Sequence, residues 1–243
     1  MYPIKLISDI HGCDREFERM LNELEYRPQC DRLVLLGDYI DRGPNSRGVV
    51  ARVMQLAQTD GAIVLGGNHE ELFLNWLDAK PDSDFYLRDI CGGQATIRSY
   101  CAPHGCTTSD DEARRIILEE YGDHVAFLRS LPDYHEDPDY IFVHAGINPM
   151  VSDWRTGPQK DFRWIRSVFH ETEHASPKTV IFGHTPTHHL HEGDECSDIY
   201  FGHKIIGIDG GCAYGRQLNG LEITAEGDYR LHVVPSTQAA FED

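Results

Sequence analysis

The sequence predicts an α/β fold whose working residues gather at the carboxyl ends of its strands. Three observations point to it. Short β-branched or Leu-rich runs recur along the chain, segments of helical spacing separate the first of them, and each run stops at residues able to do chemistry. "IKLISDIHG" runs into Asp9 and His11, "RLVLLGDYIDRG" into Asp38, Asp41 and Arg42, and "AIVLGGNHE" into Asn68, His69 and Glu70. Later, "YIFVHAG" ends at His144, "TVIFGH" at His184 and "KIIGIDGG" at Asp209. Runs of this composition suit strands buried on both faces.

The elements follow in order. After the first run, Phe17, Met20, Leu21 and Leu24 fall on one face of a helix. Val49, Val50, Val53, Met54 and Ala57 do so after the second run, and Leu72, Phe73, Trp76 and Leu77 after the third. Strand–helix alternation implies right-handed crossovers, with the cleft at the strands' carboxyl ends. Pro81 to Asp84 and the Gly92-Gly93 pair punctuate the middle of the chain. Residues 94–101, 110–120 and 122–130 read as helical. We read 78–132 as an insertion covering the site within a single domain spanning 1–243. "PDYHEDPDY" reads as a polar connection. Strand-like alternation at 205–209, 218–224 and 228–234 predicts a second sheet.

Composition narrows the function classes. Hydrophobic residues make up 40% and charged residues 26%, as in ordinary soluble globular chains. With 22 Lys+Arg against 40 Asp+Glu, the net charge of −18 argues against extended contact with nucleic acid or an anionic membrane. No apolar run approaches the roughly 20 residues that span a bilayer, and "MYPIKLISD" does not read as a secretory signal. The expected location is cytoplasmic. Cys13, Cys30, Cys91, Cys101, Cys106, Cys196 and Cys212 form no CxxC pair, which predicts reduced, mostly buried thiols and no thiolate metal site. A small phosphorylated substrate stays compatible with an acidic chain if bound divalent cations invert the local field.

Asp, His and Asn donors around a shared carboxylate suit two cations of intermediate hardness, such as Mn²⁺, Fe or Zn²⁺. Two such ions clamp an in-line displacement at phosphorus and acidify a water. "SDIHG", "GDYIDRG", "GGNHE", "VHAG" and "GHTP", in this order, resemble the calcineurin-like metallophosphoesterases of phosphoprotein-phosphatase type, especially bacterial and phage members. That resemblance covers residues 4 to about 221 and implies a four-layer sandwich, two mixed sheets flanked by helices. It also implies Asp9 and His11 on one metal, Asp38 bridging, and Asn68, His144 and His184 on the other. His69 would be the general acid, oriented by Asp41, and Arg42 and Arg166 would grip phosphate oxygens. Ser8 stands where Gly is usual, and "IDGGC" where "IDTGA" is usual.

Three groups of residues are left open. Arg163 would share a helix face with Arg166 and is the other candidate for the second clamp. Gly92, Gly93 and Arg98 could approach substrate. His188, His189 and His191 of "THHLHEG" read as solvated loop histidines. The resemblance favours a serine/threonine protein phosphatase acting on a phosphoprotein or small phosphomonoester, with two metals, Mn²⁺ first. The alternative is an asymmetrically cleaving dinucleoside tetraphosphate hydrolase. Asp41 counts against the symmetrical type, which usually lacks it. A scaffold that has lost catalysis would have lost ligands first, and none is missing.

Overall fold

A computed structural model describes residues 2–105, 109–193 and 195–238; Cys106 therefore lies outside the described residues. The first half runs β1 (Ile4–Ile7), α1 (Asp14–Glu23), β2 (Arg32–Leu35), α2 (Ser46–Gln55), β3 (Ile63–Val64) and α3 (Asn68–Leu77). Then come α4 (Gly93–Cys101), α5 (Asp110–Glu120), α6 (Gly122–Arg129), β4 (Tyr134–Glu136) and β5 (Tyr140–Val143). The rest is α7 (Gln159–Trp164), α8 (Ser167–His170), β6 (Thr179–Phe182), β7 (Tyr200–Phe201), β8 (Ile205–Gly207), β9 (Gln217–Ile223) and β10 (Tyr229–Pro235). No helix among the described residues is long and apolar enough to cross a membrane.

Two mixed five-stranded sheets result, in the orders β10-β9-β1-β2-β3 and β4-β5-β6-β8-β7. The β1–β2–β3 and β5–β6–β8 ladders are parallel, and β9, β10, β4 and β7 join antiparallel. The apolar runs alternate between two cores, as a period of two requires. Ile4, Leu6, Val34 and Leu36 meet Phe142, Ile181 and Ile206 between the sheets. Ile7, Leu33 and Leu35 face the helices, against Phe17, Met20, Val49 and Phe73. On the far side, Ile141, Val143, Val180 and Phe182 pack against Trp154, Phe162 and Phe169. Helices, sheet, sheet, helices: four layers, with every central strand buried twice.

Two expectations need correction. β9 and β10 do not build the second sheet; β9 returns to pair antiparallel with β1, Ile4 opposite Ile223, and carries β10 outside it. Leu221 and Ile223 thereby reach the inter-sheet core. "PDYHEDPDY" is no mere connection, because Tyr134–Glu136 forms the edge strand β4, where Tyr134 packs on Trp154 at 4.8 Å between ring centres. Segment 78–132 shares the helix-side core through Tyr86, Tyr100, Ile117 and Leu128.

Candidate active site

The loops following β1, β2 and β6 hold their polar residues in an uncommon backbone conformation. Asp9 (φ 51°), His11 (47°), Asp38 (55°), Asp41 (73°), Arg42 (67°) and His184 (62°) all lie in the left-handed region. Each costs on the order of 1–3 kcal/mol and persists only where neighbours over-determine it. Here the loops hold one another: Asp9 N–H donates to the Gly37 carbonyl (3.2 Å), His11 N–H to Asp38 (2.9 Å) and Gly12 N–H to Tyr39 (2.8 Å). Glu70, one turn into α3, accepts the N–H groups of Gly67 (2.8 Å), Asp38 (2.9 Å) and Tyr39 (2.8 Å). Glycine is required at 67 and 183 for closeness, since a Cβ there would land on the Asp38 and Asp9 carboxylates respectively.

Asp38 is the centre of the site. Ligand atoms of His11, Asp38 and His69 lie within 4.8 Å of one another, as do those of Asp38, His144 and His184. Side-chain geometry fits this donor set to cations. His11 Nδ1–H donates to the Ile40 carbonyl (2.7 Å) and His144 Nδ1–H to that of Leu36 (2.8 Å). His11 Nε2 lies 3.6 Å from Asp38 and accepts from Arg42 Nη1 (2.5 Å), and His144 Nε2 lies 3.4 Å from Asp38, so both Nε2 atoms face the shared carboxylate. Asn68 Oδ1 lies 3.0 Å from His144 Nε2. His184 Nε2 is buried without a hydrogen-bond partner among the described residues. The Asp9 carboxylate, on the same cavity wall, accepts the His184 N–H at 3.0 Å and the Ser8 hydroxyl.

The electrostatics agree. Burial, then Arg42, pushes His11 well below the usual imidazole range; burial, then His144, does the same to His184. Both are neutral, as ligands must be. Burial opposes the Asp38 charge, yet His144 and His69 hold its carboxyl well below the usual range. Burial and the neighbouring Asp209 push Asp9 well up, and burial raises Asp209 to about 6. Burial opposes a charge on His144, yet Asp38 and Asp9 push it up to about 9; bound divalent cations would replace that proton and relieve the crowded carboxylates.

The remaining polar residues aim at the same centre. His69 Nδ1–H donates to Asp41 (2.7 Å), which turns its Nε2 to within 3.9 Å of Asp38. Asp41 is itself held by Tyr86 (2.5 Å) and Thr96 (2.6 Å) of the 78–132 segment. Arg42 N–H donates to the Gly92 carbonyl (3.1 Å), so Gly92 supports the arginine from behind. Arg42 and Arg166 both line the cavity, as do Phe85 and Trp164.

These features coincide with a family match: the calcineurin-like phosphoesterase pattern covers residues 2–211. The chain belongs to that family. A symmetrical bis(5'-nucleosyl)-tetraphosphatase of Acidovorax sp. is 42% identical over 181 residues, 74% of this chain and 56% of that protein. The asymmetrical bis(5'-nucleosyl)-tetraphosphatase PrpE of Anoxybacillus flavithermus is 23% identical, over 89% of this chain and 88% of its own. A crystal structure provisionally identified as a diadenosine tetraphosphatase superposes with a TM-score of 0.66 at 21% identity, covering 97% of this chain and 94% of that one. The chain spans about half the length of the first curated relatives it matches, 48% for one from Aromatoleum aromaticum.

The relatives correct the substrate expectation. They are named for tetraphosphatase activity, so the reading as a serine/threonine protein phosphatase is set aside. The motifs shared by both groups encode cations and phosphate, which is why they did not separate the two.

Within this phosphoesterase, three further expectations change. α7 stops at Trp164 because Ile165 turns extended (φ −63°, ψ 142°), so Arg163 and Arg166 share no helix face. Arg163 is paired with Asp133 at 2.7 Å, while Arg166 reaches the cavity. Arg98 lines a separate hollow with Leu87 and Gln94. His188 is buried, not solvated, and its ring lies 3.9 Å from that of His189. Tyr86 and Thr96 are supporting residues the sequence did not mark out, and Glu70, marked at a strand end, was given no role. For Glu70 the signal was available, since an acid three residues after a helix-capping glycine reaches back to its N–H.

Proposed function

We propose that this phosphoesterase hydrolyses dinucleoside tetraphosphates at a phosphoanhydride bond, and that it does so asymmetrically. The observation that carries the substrate class is the shape around the Asp38 clusters. A cavity of about 180 Å³ shares Leu72 and Phe85 with one neighbouring hollow of about 670 Å³, and Arg42, Arg166 and Tyr214 with another of about 580 Å³. A substrate with a nucleoside at each end of a phosphate chain needs two exits, whereas a compact phosphomonoester needs one.

Asp9, His11 and Asp38 on one side, and Asp38, Asn68, His144 and His184 on the other, hold two divalent cations in this proposal. Nitrogen and oxygen donors without thiolate suit Mn²⁺, with Fe and Zn²⁺ next. When bound, the two ions supply an acidified water and positive charge against the phosphoryl oxygens. Arg42 and Arg166 grip those oxygens with planar forks. His69, turned by Asp41, donates its Nε2 proton to the departing phosphate oxygen. The aromatic faces of Phe85 and Trp164 border the path of the nucleoside.

The asymmetrical relative matches over 89% of this chain and 88% of its own length, and the resemblance to that type includes the retained Asp41. Symmetrical cleavage is the second reading, supported by the higher identity of the Acidovorax relative. Chromatography of a diadenosine tetraphosphate digest by the Mn²⁺-reconstituted protein tests both. ATP plus AMP is expected, and at least tenfold faster than turnover of an aryl phosphate. ADP alone would establish the symmetrical mode; no dinucleotide turnover would overturn the proposal.

A further inference from the structure

The groove beyond Arg42 and Arg166 differs from the rest of the surface in charge. It is lined by Arg42, Arg166, Arg216, His188, His189 and Tyr214, in a chain of net charge −18. Among the described residues, none of the three arginines makes a salt bridge to a carboxylate, although nine others in the chain do. Arg163, for instance, is tied to Asp133 and Arg155 to Glu136. Arg216 is outside every motif that brought the other site residues to notice.

Arg216 is also held in place. Its backbone N–H donates to the Gly211 carbonyl (3.2 Å), and its carbonyl accepts the Ser236 N–H (3.0 Å). Its stem packs over Gly211, where a Cβ would stand 3.1 Å from Arg216 Cδ. Its Nη1 donates to the Ser197 hydroxyl at 3.3 Å. Arg42 stacks over the Tyr214 ring, 4.9 Å from its centre. Three guanidinium groups thus line one groove, two of them, Arg42 and Arg166, also bordering the cavity of the Asp38 clusters, and guanidinium N–H groups suit phosphate oxygens.

We propose that Arg216 forms a subsite for the phosphates beyond the reacting one, so that the groove selects for polyphosphate length. The reacting phosphoryl group is gripped by Arg42 and Arg166, and Arg216 grips the chain one or two phosphates further along. Lysine in its place would keep the charge but lose the fork. The inference deepens the tetraphosphatase reading and rests on it for the natural substrate, but its test does not.

The test measures inhibition of aryl phosphate turnover by AMP and by ATP, with free Mn²⁺ held constant. The wild-type protein is expected to bind ATP at least tenfold tighter than AMP. Arg216→Gln should narrow that gap about tenfold, and Arg216→Lys should restore part of it at an unchanged melting temperature. A gap that persists in a folded Arg216→Gln protein overturns the subsite, as does equal weakening of both nucleotides or the absence of a gap in the wild type. Diadenosine tetraphosphate turnover, run in parallel, separates the two claims. If the gap narrows while the dinucleotide is not cleaved, the subsite stands and the substrate reading falls.

Discussion

Asp38 is the single side chain common to both ligand clusters, and Asp41 is the one that fixes His69. Replacing Asp38 with Asn keeps the shape but removes the charge that, in the proposed two-cation site, would draw both ions. Metal content by elemental analysis should fall from two per chain to below one; retention of two would show that the clusters do not depend on a shared carboxylate. Asp41 is held differently. Burial, then Asp41 itself, pushes the Tyr86 hydroxyl well above the usual phenol range, so it remains a donor at any working pH. Tyr86→Phe removes a hydrogen bond to a buried carboxylate, a class worth about 1.5–3 kcal/mol. Urea unfolding of the metal-free protein should show a loss of that size. A loss below about 0.5 kcal/mol, the range of ordinary surface changes, would mean that Thr96 alone suffices to hold Asp41.

Between elements, Glu70 ties the start of α3 to the loop after β2 through the Gly67, Asp38 and Tyr39 N–H groups. Glu70→Gln replaces one acceptor oxygen with a donor facing those N–H groups. At least one buried N–H is then unpaired, at a cost of about 1–3 kcal/mol. Amide exchange at Asp38 and Tyr39 should accelerate more than at Leu33 or Leu35 in β2 itself. Uniform acceleration would place the loss on the whole fold instead. Glu70 stands at one of the strand ends that the sequence did show. The strand ends carrying Asp9, Asp38, His144 and His184 were legible because apolar runs break abruptly there and parallel strands must place those breaks on one edge. Tyr86 and Thr96 were not, since they reach Asp41 across 45 and 55 residues from inside helical segments whose pattern reports only burial. The same limit misassigned β9 and β10. Alternation tells which face of a strand is apolar, but β9's partner is decided by where Leu221 and Ile223 find room, beside β1.

The whole molecule carries an acid-sensitive element apart from the metal site. Burial holds His124, His170 and His174 below the usual imidazole range, with Arg166 adding to the effect on His170, which falls to about 4. The His170 ring stacks on Phe182, 5.2 Å between centres, and its Nε2 is buried without a hydrogen-bond partner among the described residues. Between its ordinary value near 6.5 and about 4, the unfolded chain binds a proton that the folded chain refuses. Unfolding therefore gains as pH falls, and this part of the stability is present above the ordinary value and lost on the way down. Carboxylates held low by arginine, Asp78 by Arg129 and Glu136 by Arg155, shift stability in the same direction at lower pH. Relief of the −18 net charge opposes them. A comparison of wild type with His170→Phe cancels both backgrounds, because phenylalanine keeps the stacking and has no proton to bind. The urea midpoint of metal-free wild type should fall more between pH 7 and pH 5 than that of His170→Phe. Parallel curves would show that the folded chain accommodates a charged His170, and that the acid sensitivity resides in other groups held low, the remaining buried imidazoles and the carboxylates.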